Sequence, residues 1–211
     1  MADTTSSGAT LVAVPNENNS DRIVIGLAAN GSVRILVART TQLVEQAQII
    51  HSLYPVTCAA LGRLLTGAAL MASTLKNPTD ALTLQIRSNG PIGGLIAVSG
   101  ADSFVRGYAN VPDVDLPLNA VGKLDVGGAV GEGTLHVIKD LGMRDPYVGT
   151  VPLVSGEIAE DLTWYHATSE QTPTVMTLGV LVAPDGHVLH AGGLMLQLMP
   201  NADESLIEVL E

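Results

Sequence analysis

The sequence predicts an α+β fold, a layered β/α/β core with a buried apolar helix between sheets. Three observations predict it. The stretch from Pro55 is apolar on nearly every side of a helix, β-branched runs stand before and after it, and glycine-rich turns divide those runs. A helix apolar all round has to be covered on more than one side, and two layers of sheet are the economical cover.

The 211 residues suffice for one well-buried domain. The expected organisation is a disordered leader over 1–20, a core domain over 21–200 and the start of a helix over 201–211. A 46% hydrophobic and 15% charged composition is that of a globular chain, and 3% aromatics leave the core to Val, Leu, Ile, Ala and Met. The net charge of −11 and the lack of any basic run argue against nucleic acid and anionic membranes as partners. The polar N-terminus has no signal-peptide pattern, and Arg63 and many small residues argue against a membrane span in the apolar stretch. A cytoplasmic protein is expected.

The elements follow in order. Asp21 to Ala28 and Ser32 to Arg39 are β-branched runs around Asn30-Gly31, a pair suited to a tight turn, and predict a hairpin. Thr41 is a plausible N-cap for a helix to about Leu53, with Leu43, Val44, Ala47 and Ile50 on one side. Pro55 opens the central helix, which runs to about Lys76 before Asn77-Pro78. Leu61, Leu64, Leu65 and Leu70 alternate there with Gly62, Gly67, Ala68 and Ala69, so neighbours can approach closely.

Strands are predicted over Ala81–Arg87, Gly94–Ser99, Ser103–Tyr108, Thr134–Lys139 and Tyr147–Leu153. Pro112 and Pro117 exclude a central strand between 110 and 119, and Gly127, Gly128, Gly131 and Gly133 mark a loop. Ser155 is the expected cap of a helix from Glu157 to about Ser169, whose early acids suit the helix dipole. Thr174–Ala183 and His187–Met199 are the last strands, turned by Pro184-Asp185-Gly186.

Catalytic motifs are scarce. No dinucleotide or triphosphate loop, HExxH or GxSxG occurs. Ser73 and Lys76 match SxxK, but its companion motifs are absent, and a helix C-terminus explains them better. Glu157, Glu160, Asp161, Tyr165 and His166 are the richest polar cluster and the basis of an alternative hydrolase reading. A solvated helix face explains the carboxylates without catalysis. The histidines His51, His136, His166, His187 and His190 show no metal-ligand spacing, and Cys58, set among apolar residues, reads as a buried, inert thiol. A further alternative is a structural dimerisation module whose apolar sheet is a permanent self-interface.

Several stretches together resemble the Hsp33 family of heat-shock chaperones. They are His51-Ser-Leu-Tyr-Pro-Val-Thr-Cys-Ala-Ala-Leu-Gly-Arg63, Leu82-Thr-Leu-Gln-Ile86 with Gly90-Pro-Ile-Gly93, Val105-Arg-Gly-Tyr108, and Asp115-Leu-Pro-Leu-Asn119 with Gly122-Lys-Leu-Asp-Val-Gly127. Val154-Ser-Gly-Glu-Ile-Ala-Glu-Asp-Leu162 with Ser169-Glu-Gln171, Leu178-Gly-Val-Leu-Val182 and Ala191-Gly-Gly193 complete the set, in family order.

The resemblance implies an ATP-independent holdase that binds unfolding client proteins under oxidative and heat stress, works as a homodimer and needs no cofactor in this part of the chain. It also implies a C-terminal domain whose four cysteines hold a redox-switched zinc. Those cysteines are absent here, so the chain reads as a core ending inside the family's linker. The candidate client-binding residues are Met176, Leu178 and Val180 on the first of the last two strands, and Leu194, Leu196 and Leu198 on the second.

Overall fold

The structure, a computed structural model, describes residues 20–101, 104–200 and 202. The expected leader and the helix over 201–211 therefore lie outside the described residues, apart from Ser20 and Ala202.

The hairpin forms as predicted. Strand β1 (Arg22–Ala28) and strand β2 (Val33–Arg39) pair antiparallel around a short turn in which Asn30 and Gly31 take φ of 54° and 88°. Helix α1 (Thr41–His51) follows. Its cap differs from expectation. The Asp21 carboxylate, twenty residues upstream, accepts from the amides of Gln42 and Leu43 at 3.0 and 2.7 Å. The Thr41 hydroxyl instead accepts from the amide of Ala191 at 3.1 Å, joining α1 to the last strand.

Helix α2 (Pro55–Ala72) is the centre of the domain, and all its residues but Pro55 and Arg63 are buried. It contacts strands of both sheets. It is long and apolar enough to cross a membrane, yet 89% of it is buried inside the domain, which is where its apolarity is used. It ends at Ala72 rather than Lys76. The Ser73 and Thr74 hydroxyls each donate to a carbonyl three residues back, at 2.7 Å, and tighten the chain out of the helix.

The five-stranded sheet runs β5-β4-β3-β6-β7, with β3 (Ala81–Ser88), β4 (Leu95–Gly100), β5 (Val105–Ala109), β6 (Gly133–Asp140) and β7 (Tyr147–Pro152). Leu82, Leu84 and Ile86 on its middle strand β3 are buried against the core. The predicted loop at Gly127 and Gly128 is instead the short helix α3 (Val126–Val130). Asp125 caps it, accepting from the Gly128 amide at 3.0 Å, which offsets the poor helix propensity of the glycines.

Helix α4 (Ala159–Thr168) starts two residues later than expected. Ile158 before it has φ of +73°, costly for a β-branched residue. The buried Asp161 carboxylate holds it there, accepting from the amides of Val154, Ser155 and Ile158 at 2.7, 3.1 and 3.0 Å. Ser155 is not the cap; its hydroxyl accepts from Glu157 at 3.1 Å.

Strands β8 (Thr174–Val182) and β9 (Val188–Leu198) complete a four-stranded sheet of order β1-β2-β9-β8, every pair antiparallel. Gly193 leaves room for α2 and for β8: a Cβ there would stand 3.1 Å from the Thr66 methyl of α2 and 2.6 Å from Leu178 of β8. The β/α/β layering read from the sequence is the architecture observed.

Candidate functional site

Side chains alternate along a strand, and directly opposed residues of an antiparallel pair share a face. Val175 opposes Leu196 and Thr177 opposes Leu194 in the β8–β9 pair. Odd positions of β8 therefore stand beside even positions of β9. Across the β2–β9 pair, Ile35 opposes Leu196 and Val37 opposes Leu194. Val24 of β1 stands beside Val37.

These residues make the outer face of the four-stranded sheet, the side turned away from α2. It is an apolar strip of Val24, Ile35, Val37, Val175, Leu194 and Leu196, with Leu181 at one margin. Val37 is 46% and Leu181 54% exposed, and the other five are half-buried. Gly26, Gly179 and Gly192 lie between them and leave the backbone uncovered by side chains. Among the described residues no carboxylate belongs to this face, and Arg22 and Arg39 pair at one end of it. Apolar side chains with rotamer freedom on a sheet of this kind can cover apolar groups of varied shape.

The six residues predicted for this role divide. Leu194 and Leu196 lie on the outer face. Met176 and Leu178 are buried in the core, and Val180 packs against it near Gly62. Leu198 opposes Val33 at the far end of the sheet, and both are buried. The prediction took even positions from both strands, whereas the register joins even positions of β9 to odd positions of β8. Val24, Ile35, Val37, Val175 and Leu181 share the outer face with Leu194 and Leu196 and are not among the six. Their alternation was readable, but which parity faces outward depends on the pairing.

The polar cluster of α4 does not converge on a reaction centre. Arg63 binds Glu157, whose other oxygen accepts from the Gly127 amide at 3.0 Å. Asp161 is spent on backbone amides, and Glu160 is exposed. Tyr165 donates to Glu170 at 2.6 Å, and Lys139 pairs with the same carboxylate. Burial, then Glu170, pushes the Tyr165 phenol up. Burial alone would raise the Glu170 carboxyl, but the hydrogen bonds from Lys139 and Tyr165 and the Lys139 charge hold it below its ordinary value.

His166 is buried and has no hydrogen-bond partner at either ring nitrogen among the described residues, and burial lowers its pKa to about 4. Ser73 donates to the Leu70 carbonyl and is occupied as a helix C-cap, so the SxxK pair has a structural explanation.

A tetrathiolate zinc site does not fit this chain. Its one cysteine, Cys58, is buried, and burial, reinforced by Glu45, pushes its thiol up to about 12. Among the described residues no three His, Cys, Asp or Glu side chains are grouped to hold a metal ion.

Comparison with known proteins gives a consistent picture. The family model described as Hsp33 protein matches residues 21–211. A 33 kDa chaperonin of Acetivibrio thermocellus is 53% identical over 191 residues, covering 90% of this chain and 64% of the relative. One from Desulforamulus reducens is 50% identical, covering 90% and 65%. A crystal structure of a 33 kDa chaperonin (heat shock protein 33 homolog) from Thermotoga maritima superimposes with a TM-score of 0.83 at 45% identity, covering 87% of this chain and 63% of that one. The chain thus spans a little under two thirds of the length of these relatives.

Proposed function

The chain belongs to the Hsp33 family, and from that premise we propose that it is the client-binding part of an ATP-independent holdase chaperone. The observation that carries this reading is the apolar strip on the outer face of the four-stranded sheet, which holds no carboxylate among the described residues. An unfolding protein exposes apolar side chains, and covering them is worth roughly 25 cal/mol per Å² of apolar surface removed from water. Immobilising a flexible client opposes that gain, so net affinity is modest and release remains possible. The net charge of −11 keeps the complex in solution.

The proposal extends to the family's setting: clients unfolded by heat or oxidation, a cytoplasmic location and a homodimer, which sedimentation would detect. Redox control is not assigned to these 211 residues, because Cys58 is the single thiol and is buried.

The test is light scattering from a thermolabile reporter protein, heated with and without this chain in reducing buffer lacking ATP. Suppressed aggregation is the expected result. A folded sample that leaves scattering unchanged sinks the proposal, and a requirement for peroxide would contradict the assignment of activity to this surface.

A further inference from the structure

The five-stranded sheet has an outer face of its own, and its chemistry differs from that of the apolar strip. One row across it is His136, Gln85, Ile96 and Tyr108; the next is Ile138, Thr83, Val98 and Arg106. Arg87 follows on β3, opposite Thr134. Tyr108 is 47% exposed, and both arginines are exposed. Arg106 also lies over the ring of Phe104, 5.8 Å from its centroid. His136 is fixed between the hydroxyls of Thr134 and Thr150, each 3.0 Å from a ring nitrogen.

Among the described residues the two rows hold no carboxylate. Glu132 and Asp140 stand at the two ends of β6, outside them. The chain carries 21 acidic residues against 10 basic ones, so a face with arginines and no acid in its centre is the reverse of the molecule's average. With one Phe, one Trp and four Tyr in all, placing Phe104 and Tyr108 on the outer side of one edge strand is a further concentration. Tyr, Phe and Arg enriched, with Asp and Glu depleted, is the composition of a protein–protein interface core.

We infer that this face docks an acidic, extended stretch of a partner polypeptide. Arg87 and Arg106 are four residues apart along the strands and two strands apart across them, roughly 16 Å from strand rise and spacing. About five residues of extended chain span that distance. Ile96 lies between the arginines, so the fitting segment carries two carboxylates about five residues apart with apolar side chains between them. Single-stranded nucleic acid also stacks on aromatic residues beside arginine. Two arginines on a chain of net charge −11 favour the polypeptide instead. This surface lies on the opposite side of α2 from the proposed client strip and does not depend on that reading.

The test is fluorescence anisotropy of the whole chain with a labelled, end-blocked peptide of paired glutamates five residues apart, separated by leucine and alanine. Matched peptides with glutamine or lysine, and an oligo-deoxythymidine, complete the set. The glutamate peptide is expected to bind tightest, to weaken with salt, and to lose on the order of tenfold in affinity in the variant R87E/R106E. The variant I35S/L194S, altered only on the other sheet, is expected to bind it unchanged. No binding of the glutamate peptide, equal binding of the lysine peptide, or unchanged affinity in a folded R87E/R106E overturns the inference. So does tighter binding of the oligonucleotide, or loss of binding in I35S/L194S.

Discussion

Arg63 and Glu157 tie the central helix to the chain entering α4: the guanidinium binds the Glu157 carboxylate and donates to the same residue's backbone carbonyl at 3.2 Å. Arg63 is the one charge on α2, and the pair is partly shielded, with the two side chains 19% and 37% exposed. Glu157 also holds the Gly127 amide, so three elements meet on one carboxylate. Arg63→Ala leaves that carboxylate half-buried without its cation. It is expected to destabilise the fold by about 1–3 kcal/mol, between the limits for exposed and buried pairs. Urea denaturation measures this, and a loss below about 0.3 kcal/mol would assign the pair no structural role.

Asp161 is expected to be more sensitive than Glu157. Its fully buried carboxylate accepts from the backbone amides of Val154, Ser155, Gly156 and Ile158. Asp161→Asn puts an amide donor where acceptors are needed and removes the support for the left-handed Ile158. A loss of about 2–4 kcal/mol in denaturant is expected. If Ile158→Gly in the same background restored part of it, backbone strain would be identified as a component.

How much of this was legible in the sequence varies with the range of the interaction. The apolar circumference of α2 is a local signal, and it led to the correct layering. The hairpin around Asn30-Gly31 is equally local. The α1 cap was not readable, because Asp21 reaches Gln42 and Leu43 only once β1 and β2 have paired and brought it back. The outward face of β8 and β9 was misjudged for a related reason. Alternation within each strand was plain, but the parity linking Val175 to Leu196 is set by a register between strands. The aromatics and arginines of the five-stranded sheet are dispersed over β3, β4 and β5 and meet only through the same kind of pairing.

His166 gives the fold an acid sensitivity with a definite sign. Its folded pKa, about 4, lies below the ordinary imidazole value of 6.5 because burial disfavours the imidazolium. Between these values the unfolded chain binds the proton and the native state does not, so stability falls as pH drops from 6.5 towards 4. The full effect is on the order of 3 kcal/mol. Glu170, held below its ordinary value by Lys139 and Tyr165, adds a loss of the same sign at the acid end. His166→Phe is expected to flatten the slope of stability between pH 6.5 and 5 while leaving the Glu170 limb. An unchanged slope, followed by thermal melts across pH, would place the sensitivity elsewhere.

On the proposed function, client binding and folding fall to opposite sides of the four-stranded sheet. Leu194 and Leu196 face outward beside Val37 and Ile35, whereas Met176 and Leu178 of the neighbouring strand are buried in the core. Leu194→Ser with Ile35→Ser removes half-buried apolar surface and leaves no cavity, so stability should change by about 1 kcal/mol or less. Suppression of reporter aggregation should weaken several-fold, since each lost side chain withdraws contact area from the client. Met176→Ala removes core atoms and should cost about 2–4 kcal/mol in denaturant. Below its melting temperature it should protect the reporter as well as the parent chain does. The crossed outcome, protection lost in folded Met176→Ala and kept in Ile35→Ser/Leu194→Ser, would show that clients engage residues released from the core rather than the preformed strip.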